Sequence, residues 1–223
     1  WEIGPQQTLY MPGCWLREGD NEIVVFDIMG PREARSMGHD RPVLDKLLHH
    51  KRLLHREEGE ELDLTGLAPA VAGTFAPGNG WQEVRLDAPQ RGRYVCLEFV
   101  DALDGKDVAS MAEFYVVDAD GQRLSREPWL VDYADSEDVA GGNHSADKMF
   151  DLQESTYWST VPGVAYPHCL VIDLSGTRNI SGFQYLPRME AEVPGGVANY
   201  RIYIGNEPFK KIRNRHSSIN QSE

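Results

Sequence analysis

Cysteine is scarce: three residues, Cys14, Cys96 and Cys169, are spread over 223 positions. They form no C-x-x-C pair and no Cys/His spacing of a zinc site. A disulfide-stapled scaffold and a zinc finger are therefore excluded. The three read as small buried hydrophobes, with a single disulfide left open. Basic residues are also few, 22 Lys and Arg against 35 Asp and Glu, for a formal net charge of −13. Nucleic-acid binding needs a cationic footprint, and an anionic membrane surface attracts basic clusters; this balance opposes both. No apolar run approaches the ~20 residues of a membrane-spanning helix. No G-x-S-x-G, P-loop or G-x-G-x-x-G occurs.

What remains is an ordinary globular composition, 41 % hydrophobic and 26 % charged. That is enough to bury a core in one domain plus a smaller piece. The chain opens at Trp1, inside what reads as structured sequence, so a fragment of a longer protein is expected. Residues 1–29 read as strand, turn, strand: Thr8–Met11, a turn at Glu18–Asn21, then the β-branched run Ile23–Ile28. Residues 30–61 read as a charged connector with Leu44, Leu47 and Leu48 at helical spacing; His49, His50 and His55 are expected on its solvated surface.

From Leu62 the pattern is all-β. Strands are expected at 71–75, 81–86, 93–99, 112–117, 129–133, 169–174, 180–186 and 199–204, separated by Gly/Asn/Asp turns. Many short strands with such turns predict a sandwich or jelly roll over 62–212, followed by a polar tail at 213–223.

Two family resemblances attach to particular residues. Trp1–Pro12, with Gly4-Pro5-Gln6 and Leu9-Tyr10-Met11-Pro12, and then Leu16-Arg17-Glu18-Gly19-Asp20-Asn21-Glu22-Ile23 resemble the end of the last jelly-roll domain of family-35 glycoside hydrolases, the β-galactosidases. The second resemblance spans most of 70–212 and is to the discoidin fold, also called factor V/VIII type C or family-32 carbohydrate-binding module. Its carriers are Ala146–Thr160 with Asp151 and Thr156-Tyr157-Trp158, the Ile172-Asp173-Leu174 strand, Ile180–Arg188, and Tyr200–Ile204. Segments resembling that family's final strands, Gly73–Phe75, Trp81–Val84, Arg93–Glu98 and Ala109–Phe114, come earlier in the chain instead of last. The resemblance thus implies a galactose-binding-like sandwich that is circularly permuted and joined through Asp118–Asp132, or else two truncated domains. Permutation is favoured, because half a sandwich leaves open edges and unburied faces.

The second resemblance also implies sites. A structural Ca²⁺ would draw on Asp151, Thr156 and Glu113 with nearby backbone oxygens. Leu152 and Gln153 stand where the family has Gly and Asn, and Leu152 threatens the tight turn. The alternative is that Asp151 and Glu113 bond backbone amides and pin the same loops. Sugar binding would use a ring and polar groups at the loop end: Arg188, Asn143, His144, Tyr157, Tyr166 and His168 are the candidates. Arg188 could instead pair with Glu190 or Glu192. Trp158 is expected in the core, and no exposed Trp platform is evident.

A retaining glycosidase needs two carboxylates in a cleft, which in family-35 enzymes lie on a TIM barrel. No strand–helix alternation exists here to build one. The resemblance therefore implies the non-catalytic C-terminal part of an exported (periplasmic or extracellular) β-galactosidase. Its partners would be galactose-containing glycans and the rest of the parent enzyme, with no role for nucleic acid or membrane. The alternative is a purely structural domain that packs on the catalytic barrel without glycan affinity.

Overall fold

The structure is a computed structural model that describes residues 15–22, 55–57, 59–188 and 195–213. The chain divides into two units, Trp1–Lys51 and Arg52–Glu223. In the first, the expected turn is present: Arg17 N–H donates to Asn21 Oδ1 at 2.8 Å and Asn21 Nδ2 returns a bond to Arg17 O at 2.9 Å. The strands expected at 8–11 and 23–28, the helical stretch of the connector, His49, His50 and Cys14 lie outside the described residues.

The second unit is all-β, with one 3-10 turn at Ala146–Phe150 among its described residues. Its strands are β1 (Glu60–Leu62), β2 (Val71–Thr74), β3 (Gln82–Phe99), β4 (Ser110–Met111), β5 (Glu113–Asp118), β6 (Leu130–Ala134), β7 (Trp158–Ser159), β8 (His168–Leu186), β9 (Asn199–Gly205) and β10 (Lys211–Arg213). The main sheet runs β2-β9-β3-β8-β5, with β6 also pairing β8; β1-β10 and β4-β7 are short antiparallel pairs.

Two expected strand pairs are in fact single long strands. Segments 81–86 and 93–99 merge into β3, and 169–174 and 180–186 merge into β8. The polar stretches between them, which lie outside the expected strands, are places where the ladder slips its register, between Arg85 and Gln90 and between Gly92 and Tyr94. Bulges bend strands without ending them. Both halves of β3 and β8 consequently feed one core: Val84, Val95, Leu97 and Phe99 from β3 meet Leu170, Ile172, Ile180 and Phe183 from β8. Gly182 lets the strands approach, since a Cβ there would stand 2.4 Å from the Val84 carbonyl oxygen.

Side chains on a strand alternate faces. The opposite face of the same strands is covered as well: Tyr94, Cys96, Val171 and Tyr203 form a second cluster with Leu62, Leu64 and Phe209 from the flanks of β1 and β10. Coverage on both faces is why these strands read as nearly continuous apolar runs. Cys96 and Cys169 are free thiols here, and burial pushes the Cys96 thiol well up from its usual pKa.

Strands from both sides of residue 118 share one sheet and one core, as a single permuted domain requires and two truncated domains would not. β2 lies antiparallel beside β9, with Val71 opposite Ile202 and Thr74 opposite Asn199. The end of β9 thus stands next to the start of β2, where an unpermuted chain would place a hairpin.

Two expectations about the flanks are corrected. His55 is not solvated but 7 % exposed, because Glu137 reaches it: its backbone N–H donates to Glu137 Oε2 at 2.7 Å and its Nδ1 lies 2.8 Å from Oε1. Arg213 belongs to β10 rather than to a tail. Asp63 and Lys210 tie the segments beside β1 and β10 at 2.6 Å.

Ile172 is wholly buried at the centre of the sheet, so Ile172→Ala should cost about 2–5 kcal/mol in urea unfolding. The Lys210 bond, helped by Thr65, holds the Asp63 carboxyl down at about 2. A depressed carboxylate stabilises the fold above its unfolded pKa and ceases to do so as pH falls through the folded one. Asp63→Asn should therefore melt below the wild type at pH 6, and the gap should close between pH 4 and pH 2.

Candidate functional site

The site grows from Trp158. Its ring is wholly buried, its Nε1–H donates to Ser136 O at 3.0 Å, and it packs 5.7 Å from Phe99. This is the core position expected for it. Met111 on β4 sits opposite it in the β4–β7 pair. Tyr157, one residue earlier, is half-buried.

Its ring stacks on His144 with centroids 4.3 Å apart and planes 13° from parallel, and its hydroxyl lies 3.4 Å from His144 Nε2. The Arg188 guanidinium stands 3.8 Å from the Tyr157 ring centre, the distance of a cation–π contact. Arg188 comes from the chain two residues beyond β8.

The loop carrying His144 is firmly held. Ser159 N–H donates to His144 O at 3.2 Å, Gly141 N–H to Asp138 Oδ1 at 2.7 Å and Ala146 N–H to the buried Glu137 at 2.7 Å. Gly142 packs against the imidazole, where a Cβ would fall 2.3 Å from Nε2. Asn143 between them is exposed. Three sugar-site candidates, His144, Tyr157 and Arg188, thus meet, with Asn143 adjacent in the same loop.

Tyr166 and His168 do not join them. Tyr166 is half-buried and its hydroxyl donates to Val108 O at 2.7 Å; burial raises its phenol pKa. His168 is a correction, because it is 0 % exposed and cannot meet a ligand. It is the first residue of β8, and its Nδ1 lies 2.7 Å from Asp135 Oδ2, whose other oxygen accepts the Cys169 N–H.

The residues named for calcium do not suit a hard cation, which wants six or more free oxygens. Thr156 Oγ1 donates to both Asp151 oxygens at 2.8 and 2.9 Å, Gln153 N–H donates to Oδ1 at 3.0 Å, and Lys148 Nζ stands 3.2 Å away. Asp151 thus accepts a backbone amide of its own loop. Glu113 instead pairs with the buried Arg126. Among the described residues no group of three or more His, Cys, Asp or Glu is placed to hold a metal ion. Leu152, expected to spoil the turn, adopts the glycine-like conformation anyway at φ 70°, with its side chain 62 % exposed.

Sequence reasoning also missed an aromatic surface. Trp81 and Tyr115, half-buried, have ring centres 5.5 Å apart, and the Arg123 guanidinium covers both, at 4.5 and 4.1 Å. The alternation of Tyr115 on β5 with the core residues Phe114 and Val116, and the position of Trp81 just before β3, were the available signal. A cavity of about 460 Å³ beside Asp63, Tyr203, Phe209 and Lys210 shares no lining residue with the Tyr157 cluster.

Residues 133–223 match the F5/8 type C domain. This match starts in β6 and includes β8 and β9, yet β3 lies between those two in the sheet. The matched segment therefore lacks a central strand, which the chain supplies from residues before it. Galactose oxidase of Gibberella zeae is 28 % identical over 91 residues, 39 % of this chain and 13 % of that protein. Beta-galactosidase-1-like protein 3 of Homo sapiens is 47 % identical over 45 residues, 20 % of this chain and 7 % of its own length. A sialidase of Micromonospora viridifaciens is 40 % identical over 75 residues, 31 % and 11 % respectively. The matched stretches thus span small parts of these relatives. No helix among the described residues is long and apolar enough to cross a membrane.

A left-handed non-glycine residue costs roughly 1–2 kcal/mol, while glycine costs about 0.5–1 kcal/mol in chain entropy. Leu152→Gly should leave the fold intact and raise its stability by up to about 1 kcal/mol in urea titration.

Proposed function

We propose that this chain is a non-catalytic accessory part of a β-galactosidase-like glycoside hydrolase and that its F5/8 type C sandwich binds galactose-containing glycans. The observation that carries the reading is the convergence of Tyr157, His144 and Arg188, with Asn143 beside them, at one end of the sandwich. A sugar presents hydroxyls that take charged or amide hydrogen bonds, and the rings of Tyr157 and His144 hold the polar groups that would meet them. Arg188 donates, Asn143 donates and accepts, and His144 does either according to tautomer. The parent enzyme would hydrolyse terminal β-galactosides outside the cytoplasm, and the module would hold it on its substrate. The similarity to short stretches of a β-galactosidase-like protein, a galactose oxidase and a sialidase supports the same direction.

A second reading, a structural domain that docks on the catalytic barrel, has one observation in its favour. The Trp81–Tyr115 surface under Arg123 is aromatic, partly open, and shares no residue with the Tyr157 cluster.

Calorimetric titration with galactose, lactose and galactosylated glycans separates the two. Saturable binding is expected, weakened roughly 10–100-fold in Arg188→Ala, the range for losing a charged hydrogen bond. A folded protein that gives no heat with any of these sugars would favour the structural reading.

A further inference from the structure

We infer that Arg126 is a resident cation that does the work of a loop-ordering metal ion, so that the loop bearing Tyr157 is held without calcium. The guanidinium is buried, with a side chain 3 % exposed, and Glu113 beside it is 1 % exposed. One nitrogen, Nη1, donates to Glu113 Oε2 and to Phe114 O at 3.2 Å, with Met149 O a longer, shared contact at 3.5 Å. These are a carboxylate and two backbone carbonyls, the donor types a hard cation collects. They come from β5 and from the 3-10 turn that leads into the Asp151 loop, so one positive group joins the two. Nη2 donates to the Tyr115 hydroxyl at 2.7 Å, and the guanidinium lies 3.7 Å from that ring's centre. The planar fork is thereby fixed in orientation.

The charges agree with this role. Burial pushes the Glu113 carboxyl above its usual range, and Asp151 and Glu154 push the same way; Arg126 pulls against them. A buried carboxylate in that field needs a positive partner. Asp151 has its own in Lys148. Glu113 Oε1 has no hydrogen-bond partner among the described residues and is an oxygen that could draw a metal. A divalent ion there would sit against a guanidinium already bound to the other oxygen of the same carboxylate, and like charges at such range in a buried site repel strongly.

The placement in the chain is informative. Arg126 lies between β5 and β6, in the segment that joins the two halves of the permuted sandwich. The connection that closes this chain order is also the one that delivers the cation.

The test reads metal binding and melting, and therefore succeeds or fails independently of glycan affinity. For the wild type, millimolar Ca²⁺ and EDTA are expected to give the same Tm, and calorimetric titration with Ca²⁺ no saturable heat. Arg126→Gln, which removes the charge, is expected to melt well below the wild type and to regain part of the loss when Ca²⁺ is added. If Arg126→Gln does not fold, Arg126→Lys, which keeps a cation, is expected to fold and to remain indifferent to chelation. Saturable Ca²⁺ binding by the wild type, or a Tm that falls on chelation, would overturn the inference. So would an Arg126→Gln protein as stable as the wild type.

Discussion

Everything in the sandwich depends on the antiparallel pairing of β3 with β8. The two strands are 18 and 19 residues long and are separated by about seventy positions of chain. They run together from Gln82 opposite Tyr185 to Phe99 opposite His168. On one flank of this pair hangs β9, and β2 beyond it; on the other hang β6 along the first half of β8 and β5 along the second. Because the pair is apolar on both faces, it supports a main core on one side and the Tyr94–Phe209 cluster on the other. Such long-range pairing repays its loop-closure entropy only when both strands have found each other. The two halves of the chain, and not its neighbouring hairpins, are therefore the units that must meet.

That constraint explains what could be read in advance. The nearly continuous apolar runs within Arg93–Phe99 and Cys169–Leu174 exposed the central strands, and Trp158 was expected in the core with Tyr157 beside it as a sugar-site candidate. The order of the motifs implied the permutation, because strand-like segments that end one kind of sandwich came first here. The bends were illegible: Leu86–Gln90 and Ser175–Asn179 have turn composition, and nothing local distinguishes a bulge from a break. Buried polar residues were illegible for a different reason. His55 and His168 each look like a lone surface histidine in sequence, and their burial is decided by Glu137 and Asp135, 82 and 33 residues away. Arg126, in a loop with Glu127 and Pro128, carries no mark that it will point inward.

The acidic excess of the chain takes on a structural meaning once these partners are seen. Several buried or half-buried carboxylates each hold a separate basic group. Glu113 has Arg126, Glu98 has Arg201 and the Tyr203 hydroxyl, and Glu137 and Asp135 have His55 and His168. Asp173 has Arg93 in a two-point contact at 2.7 and 2.8 Å; against the burial that raises it, this bond and the Ser175 N–H bring its pKa below the ordinary value. Losing one member of a buried pair costs far more than the pair contributes, because the other charge is left in a dry site. Arg126 is buried by its pairing, whereas Arg93 and Arg201 stay about half exposed while each neutralises a more buried carboxylate.

A permuted sandwich has to solve one problem that an ordinary one does not. A new chain segment must run from the end of β5 to the start of β6. Such a segment must satisfy its own backbone and avoid crowding the core. Here it does so by joining the structure at both levels. Leu124 N–H donates to Val116 O at 2.9 Å, extending the edge beyond β5, and Trp129 buries its ring against Phe150. Between them Arg126 enters the interior and meets Glu113. The joining segment is thus an integral wall of the sandwich, and through Met149 it touches the turn that leads to the Tyr157 loop. The joining segment, β5 and the turn ahead of the Tyr157 loop are consequently brought together around one buried arginine.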